Sequence, residues 1–79
     1  MKKVRENMKD MKRVPVSIYA YNKIKAAILN NELMSGEKLV EESLAESLKI
    51  SRIPIRGALR QLEQEGFVTY RSEERRVGK

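Results

Sequence analysis

Cysteine and histidine are both missing from this 79-residue sequence, and aromatic residues make up only 5% of it. Without cysteine there is no disulfide scaffold and no thiolate nucleophile, and without either residue the usual zinc ligand sets are excluded. No apolar run approaches the roughly 20 residues that a membrane-crossing helix needs. The basic N-terminus also lacks the adjoining apolar core of a signal peptide. The expectation is a soluble, cytoplasmic protein with no membrane contact; the lack of cysteine is compatible with a reducing cytosol. There is no glycine-rich phosphate loop, and the carboxylates fall mainly on solvated helix surfaces. Neither an enzyme nor a cofactor is therefore expected. The length allows one small domain, whose core is only marginally stable alone.

Positive charge is plentiful. Seventeen Lys plus Arg stand against eleven Asp plus Glu, a net of +6. Its distribution says more than its total. Residues 1–25 carry eight basic and two acidic groups, a net of +6; residues 32–46 carry one and five, a net of −4. Residues 51–79 carry seven and four, a net of +3. Two basic regions thus flank an acidic middle, a distribution suited to a polyanionic partner. Charge that merely keeps a small chain in solution is the plainer alternative.

Along the chain, residues 1–13 scatter Met and Val without a helical stripe and read as a flexible basic arm. Pro15 disfavours helix at Val14. Ser17 then caps a helix predicted over roughly 18–34, with Ile18, Tyr21, Ile24, Ile28, Leu29 and Leu33 on one apolar face. Ser35-Gly36 breaks it, and Lys38-Leu39 reads as a very short strand. A second helix is predicted from about Val40 or Glu41 to Leu48, burying Leu44, Ala45 and Leu48. Glu41 and Glu42 fall in its first turn, where exposed backbone N–H groups favour negative charge. After a turn at Lys49-Ile50, Ser51 caps a third helix ending near Glu65. Pro54 lies in its first turn, where no intrahelical hydrogen bond is lost. Ile55, Leu59 and Leu62 form the inward stripe, with Ala58 beside it. Gly66 ends the helix, Phe67 to Tyr70 reads as an edge strand, and from Arg71 onward a hairpin begins whose returning strand is barely present.

The short second helix, tight turn and third helix make a helix-turn-helix pattern. Arg52, Arg56 and Arg60 are spaced four apart and share one side of the third helix, away from the apolar stripe. Such a helix fits the major groove of B-DNA, where arginine donates two hydrogen bonds to guanine. Recognition helices enter the groove N-terminal end first, which puts Arg52 nearest the base edges. Arg56 suits a base or a phosphate. Arg60 suits a phosphate or ion pairing with the acidic neighbours of Gln64. Ser51 either caps the helix or bonds a phosphate, and Ile53 suits a thymine methyl or an ordinary packing contact. Arg71, Arg75 and Arg76 make a basic hairpin that Glu73 and Glu74 partly neutralise. A solvated charged face remains the alternative for the whole row.

At these positions the chain resembles the N-terminal winged-helix domain of the GntR family of bacterial transcription regulators. The resemblance covers about residues 14–70 and is closest to the branch with an all-helical effector domain. Its anchors are Tyr21–Leu33, Gly36-Glu37-Lys38-Leu39, Glu41 with Leu44-Ala45, and Ser51-Arg52-Ile53-Pro54-Ile55-Arg56. Ala58-Leu59, Leu62 and Glu65-Gly66-Phe67-Val68 complete the series. The resemblance implies a mostly α, three-helix winged helix-turn-helix with a small, truncated β-wing. It implies a repressor module that binds double-stranded DNA as a dimer on a short palindrome. Contacts would come from Ser51, Arg52, Ile53, Pro54 and Arg56, and from the wing after Tyr70, Arg71 first. A small metabolite would act on a second domain, so no effector ligand is expected in this chain.

Three departures stand out. Lys49 occupies a usual turn glycine, at a cost of roughly 1–2 kcal/mol if that position is left-handed. Gly57 replaces a usual glutamate inside the third helix, and Ile53 a usual threonine. The domain reading is an arm over 1–13, a winged helix over 14–70, and an incomplete wing or non-native tail over 71–79. With no effector domain following, a truncated member or gene fragment is expected. Two further readings stay open: a protein-interaction module that pairs with a full-length relative through its first helix, or a fragment without activity.

Overall fold

The computed structural model describes residues 15–78. The predicted arm over 1–13, with Val14 and Lys79, lies outside the described residues. In chain order the elements are α1 (Val16–Leu29), β1 (Lys38–Leu39), α2 (Glu41–Leu48), α3 (Arg52–Gln64), β2 (Val68–Arg71) and β3 (Glu74–Val77). They form the expected architecture, three helices with a small open sheet, a winged helix-turn-helix.

The core is one cluster to which every element contributes. Ala20, Ile24 and Ile28 enter from α1, Ala45 from α2, and Ile55, Ala58, Leu59 and Leu62 from α3; Leu39, Val68 and Val77 close it from the strands. Ile55, Leu59 and Leu62 are fully buried, as their spacing predicts. Burying each such side chain stabilises the fold by about 1.5–3 kcal/mol. The inner face of α1 differs from the expected one. Ala20 is buried, while Ile18 and Leu29 are exposed.

All three helices among the described residues end in the same backbone device. A residue with left-handed φ follows each helix, and the next N–H reaches back five positions. After α1 this residue is Asn31 (φ 64°), and Glu32 N donates to Ala27 O at 2.8 Å. After α2 it is Lys49 (φ 61°), with Ile50 N donating to Ala45 O at 3.0 Å. After α3 it is Gly66 (φ 88°), with Phe67 N donating to Leu62 O at 2.9 Å. These are Schellman closures, which satisfy carbonyls that the helix itself leaves open. Only the last uses glycine. The first closure also explains why α1 stops at Leu29 rather than running to 34: asparagine tolerates the left-handed region, and the chain leaves the helix there.

The helix starts are corrected too. α1 begins at Val16 with Pro15 ahead of it, and Pro15 O accepts from Ile18 N at 2.9 Å; Ser17 is inside the first turn and caps nothing. Ser51 occupies the residue before α3 with an extended backbone, yet its side chain makes no capping hydrogen bond.

The hairpin also differs from expectation. The chain does return after Tyr70, and β3 pairs antiparallel with β2 from Val68↔Val77 to Arg71↔Glu74. β3 also pairs with β1, so the sheet order is β1-β3-β2. Ser72 (φ 55°) and Glu73 (φ 64°) both take the left-handed conformation of a two-residue hairpin turn of type I′. Asn-Gly is the usual pair there, which is why this turn is hard to recognise in sequence. Gly36 N donates to Val77 O and Val77 N to Glu37 O, fastening the loop before β1 to the same strand.

Candidate nucleic-acid interface

α3 turns its apolar row into the core and its basic row outward. Arg52, Arg56 and Arg60 are all exposed on the outer side. Arg52 opens the helix, next to Ser51 and to Ile53, which is 75% exposed. Pro54 is half-buried beside them. Ile53 stands on the exposed entry of the helix, between Arg52 and Pro54. Arg52 and Arg60 make no ion pair among the described residues, so both guanidinium groups are open to an anion; the pairing of Arg60 with Glu63 or Glu65 is not present.

Arg56 is engaged differently. Its Nε donates to Glu41 Oε2 at 3.1 Å and its Nη2 to Glu41 Oε1 at 3.2 Å. This is the two-point fork that arginine forms with carboxylates. Glu41 also meets Arg75 Nη1 at 3.4 Å, so one carboxylate on α2 joins the outer face of α3 to the central strand of the wing. The hydrogen bond from Arg56, and then the charges of Arg56, Arg75 and Arg52, hold the Glu41 carboxyl below the ordinary glutamate range, against the opposing effect of partial burial.

The hairpin divides its side chains by strand alternation. Val68, Tyr70, Arg75 and Val77 share the inner face; Thr69, Arg71, Glu74 and Arg76 share the outer one. Arg75 lies directly opposite Tyr70, its guanidinium 4.8 Å from the ring centroid, and its side chain is only 15% exposed. Arg76 donates to Gly36 O and to Glu74 Oε1, both at 2.9 Å. Two of the three wing arginines are therefore spent on the fold. Arg71, at the end of β2 beside the turn, is exposed and makes no ion pair among the described residues.

The wing turn approaches the start of α3. A shallow groove between them is lined by Arg52, Lys38, Glu41, Glu42, Glu73 and Arg75, among others. Sequence reading placed Ser51, Arg52, Ile53, Pro54, Arg56 and Arg60 on one helix, and the fold keeps them together. Arg71 stands apart on the outer face of the wing. By sequence Glu41 is a helix-start charge and an anchor of the family resemblance, with no sign of a tie to Arg56. Its link to Arg56 spans 15 positions across a turn, beyond what one helical period reveals.

Comparison with known proteins adds the following. Residues 18–76 match the family described as bacterial regulatory proteins, gntR family. Over 57 residues, 72% of this chain, the sequence is 40% identical to an uncharacterized HTH-type transcriptional regulator, YdhC, of Bacillus subtilis (strain 168). The chain spans only 25% of the length of that relative. The fold is also similar to that of YtrA from Sulfolobus acidocaldarius, a GntR-family transcription factor. The TM-score is 0.73 at 25% identity, covering 85% of this chain and 72% of that one.

Proposed function

The chain belongs to the GntR family of bacterial regulatory proteins, whose winged helix-turn-helix domains bind DNA to regulate transcription and carry no catalytic machinery, and from that premise we propose that it reads duplex DNA sequence-selectively. α3 enters the major groove. Arg52 reads a base edge, Ile53 meets a thymine methyl, and Arg60 and Arg71 hold phosphates. Two copies occupy the halves of a short palindrome, and occupancy represses the adjacent gene. The observation that carries this reading is the division of α3, with fully buried Ile55, Leu59 and Leu62 on one side and exposed arginines on the other.

The experiment is selection from a random duplex library at near-physiological salt. The expected product is an inverted repeat whose half-sites lie about one DNA turn apart, roughly 10–10.5 base pairs. Absence of any enriched site, with binding lost evenly as salt rises, would reduce the basic surface to nonspecific phosphate contact. A second reading has one observation in its favour. Val16, Ile18, Tyr19 and Leu29 leave apolar surface exposed on α1, where another protein chain could pair. Sedimentation of the chain alone, monomeric throughout a wide concentration range, would count against self-pairing there.

A further inference from the structure

We propose that Glu41 is a positioning residue for base recognition: by holding the Nε–Nη2 edge of Arg56 it leaves the adjacent Nη1–Nη2 edge for a guanine in a fixed orientation. This rests on the DNA-reading function above and names a residue outside the helix that performs it.

The argument starts from the guanidinium. It is planar and carries five N–H donors, of which the fork to Glu41 uses two, one on Nε and one on Nη2. The three that remain sit on Nη1 and the far side of Nη2. That pair of nitrogens makes a second fork, at an angle to the first, and it matches the O6 and N7 acceptors of guanine. One arginine can therefore satisfy a carboxylate and a base together. A free arginine side chain loses rotamer freedom when it docks. One already held side-on has lost much of it, and the orientation it keeps favours the planar guanine edge over a phosphate met at any angle.

The position of Glu41 is itself held from several sides. It begins α2, with only Val40 between it and β1, and its carboxylate also meets Arg75. Arg75 lies against Tyr70 and within 3.6 Å of Glu63, so it is anchored on the inner wing face. The chain of contacts runs from wing strand to carboxylate to reading arginine. Arg52 has no such support. On this reading both arginines meet bases, Arg56 in an orientation that Glu41 fixes and Arg52 without that support.

Removing the negative charge should act in two opposite directions. Nonspecific affinity rises, because a negative charge that offsets Arg56 and Arg75 is gone. Selectivity at one base falls, because Arg56 loses its fixed orientation. A carboxylate that served only the fold would also raise nonspecific affinity when removed, but would leave the preference at that base unchanged.

The test compares the wild-type chain, Glu41→Gln, Arg56→Ala and the double variant on the enriched site and its single-base variants. For Glu41→Gln, preference for guanine at one position should fall roughly tenfold, while binding to random-sequence duplex tightens a few-fold. Arg56→Ala should lose the same position, and the double variant should lose no more there than Arg56→Ala alone. An even loss over all base positions, or unchanged preference in Glu41→Gln, overturns the proposal. If Glu41→Gln does not fold, Glu41→Asp keeps the charge and shortens the arm by one methylene; the same single-position loss is expected, and its absence overturns the proposal. A wild-type chain that enriches no site removes the DNA-reading function and this proposal together, whereas enrichment indifferent to Glu41 removes this one alone.

Discussion

Tyr21 and Glu65 meet across 44 positions of sequence, the tyrosine hydroxyl donating to Glu65 Oε1 at 2.5 Å. Lys25 adds to the same point, its Nζ donating to Tyr21 Oη at 3.3 Å and lying 5.1 Å from the Phe67 ring centroid. The middle of α1 is thereby tied to the end of α3, where Gly66 turns the chain into the wing. Tyr21→Phe keeps the ring and removes the hydroxyl. It should lower stability by about 0.5–1.5 kcal/mol, seen in a thermal melt at roughly 4–8 °C per kcal/mol. An unchanged midpoint would mean that the bond contributes nothing.

The arginine row separates into roles by mutation. Arg52→Ala should cost about 1–3 kcal/mol of binding and relax preference at one base position. Arg60→Ala should weaken binding evenly across sequences and shallow the dependence on salt. Titrations on matched and single-mismatch duplexes at two salt concentrations distinguish them. Equal small losses with unchanged preference would sink the assignment of Arg52 as a base reader.

Gly57 is a glycine that the fold does not require. A methyl group built there meets nothing closer than Ser17 Cβ at 3.9 Å, ordinary contact, and no left-handed φ is involved. Gly57→Ala should therefore stabilise α3 by about 0.5–1 kcal/mol through backbone entropy. A lower midpoint in chemical denaturation would show that the space is less open than its geometry indicates.

Lys49 is the converse case, a side chain where glycine would rest more easily. Its φ of 61° closes α2 in the turn that aims α3. Relief of that strain is partly offset by the looser unfolded chain that glycine brings. The net expectation for Lys49→Gly is a gain of about 1 kcal/mol. Urea unfolding measures it, and a loss would mean that the lysine makes a contact worth more than the strain.

Acid should weaken the fold through Glu41. Its carboxyl is held below the usual value of 4.5 by Arg56, and Glu74 is lowered in the same direction, chiefly by the charge of Lys38. A group lowered in the folded state stabilises it above its unfolded pKa, and that stabilisation is lost as pH falls through the folded value. The melting midpoint should hold near neutrality and drop below about pH 4.5, with a shallower drop in Glu41→Gln. Identical acid limbs for the two proteins would remove Glu41 from the account.

Much of this fold is legible in sequence because it is local. The buried row Ile55, Leu59 and Leu62, the bounds of α2 and the left-handed turn at Lys49 all follow from spacing and resemblance within a few residues. What escapes is non-local or carried by backbone. Leu33 continues the apolar period of α1, so nothing in the pattern shows that Asn31 has already closed the helix. The returning strand Glu74–Val77 has three charged residues in four. It becomes a strand because Arg75 finds Tyr70, Glu41 and Glu63, and because Val77 pairs across the sheet. The candidate site shows the same limit. A helical period finds Arg52, Arg56 and Arg60, but the carboxylate that orients Arg56 comes from another element.

The sheet order β1-β3-β2 has a consequence for the growing chain on the ribosome. The strand in the middle is the last of the three to be synthesised, and both neighbours wait for it. Helices α1 to α3 are complete by Gln64, so their mutual packing can begin early. Val77, however, supplies both a core side chain and the backbone bonds that fasten Gly36 and Glu37. Until it emerges, β1 and β2 present unpaired edges that invite strands of other chains. The interval between Gln64 and Val77 is short, so the completed helices wait only about a second or two for their last strand at ordinary translation rates.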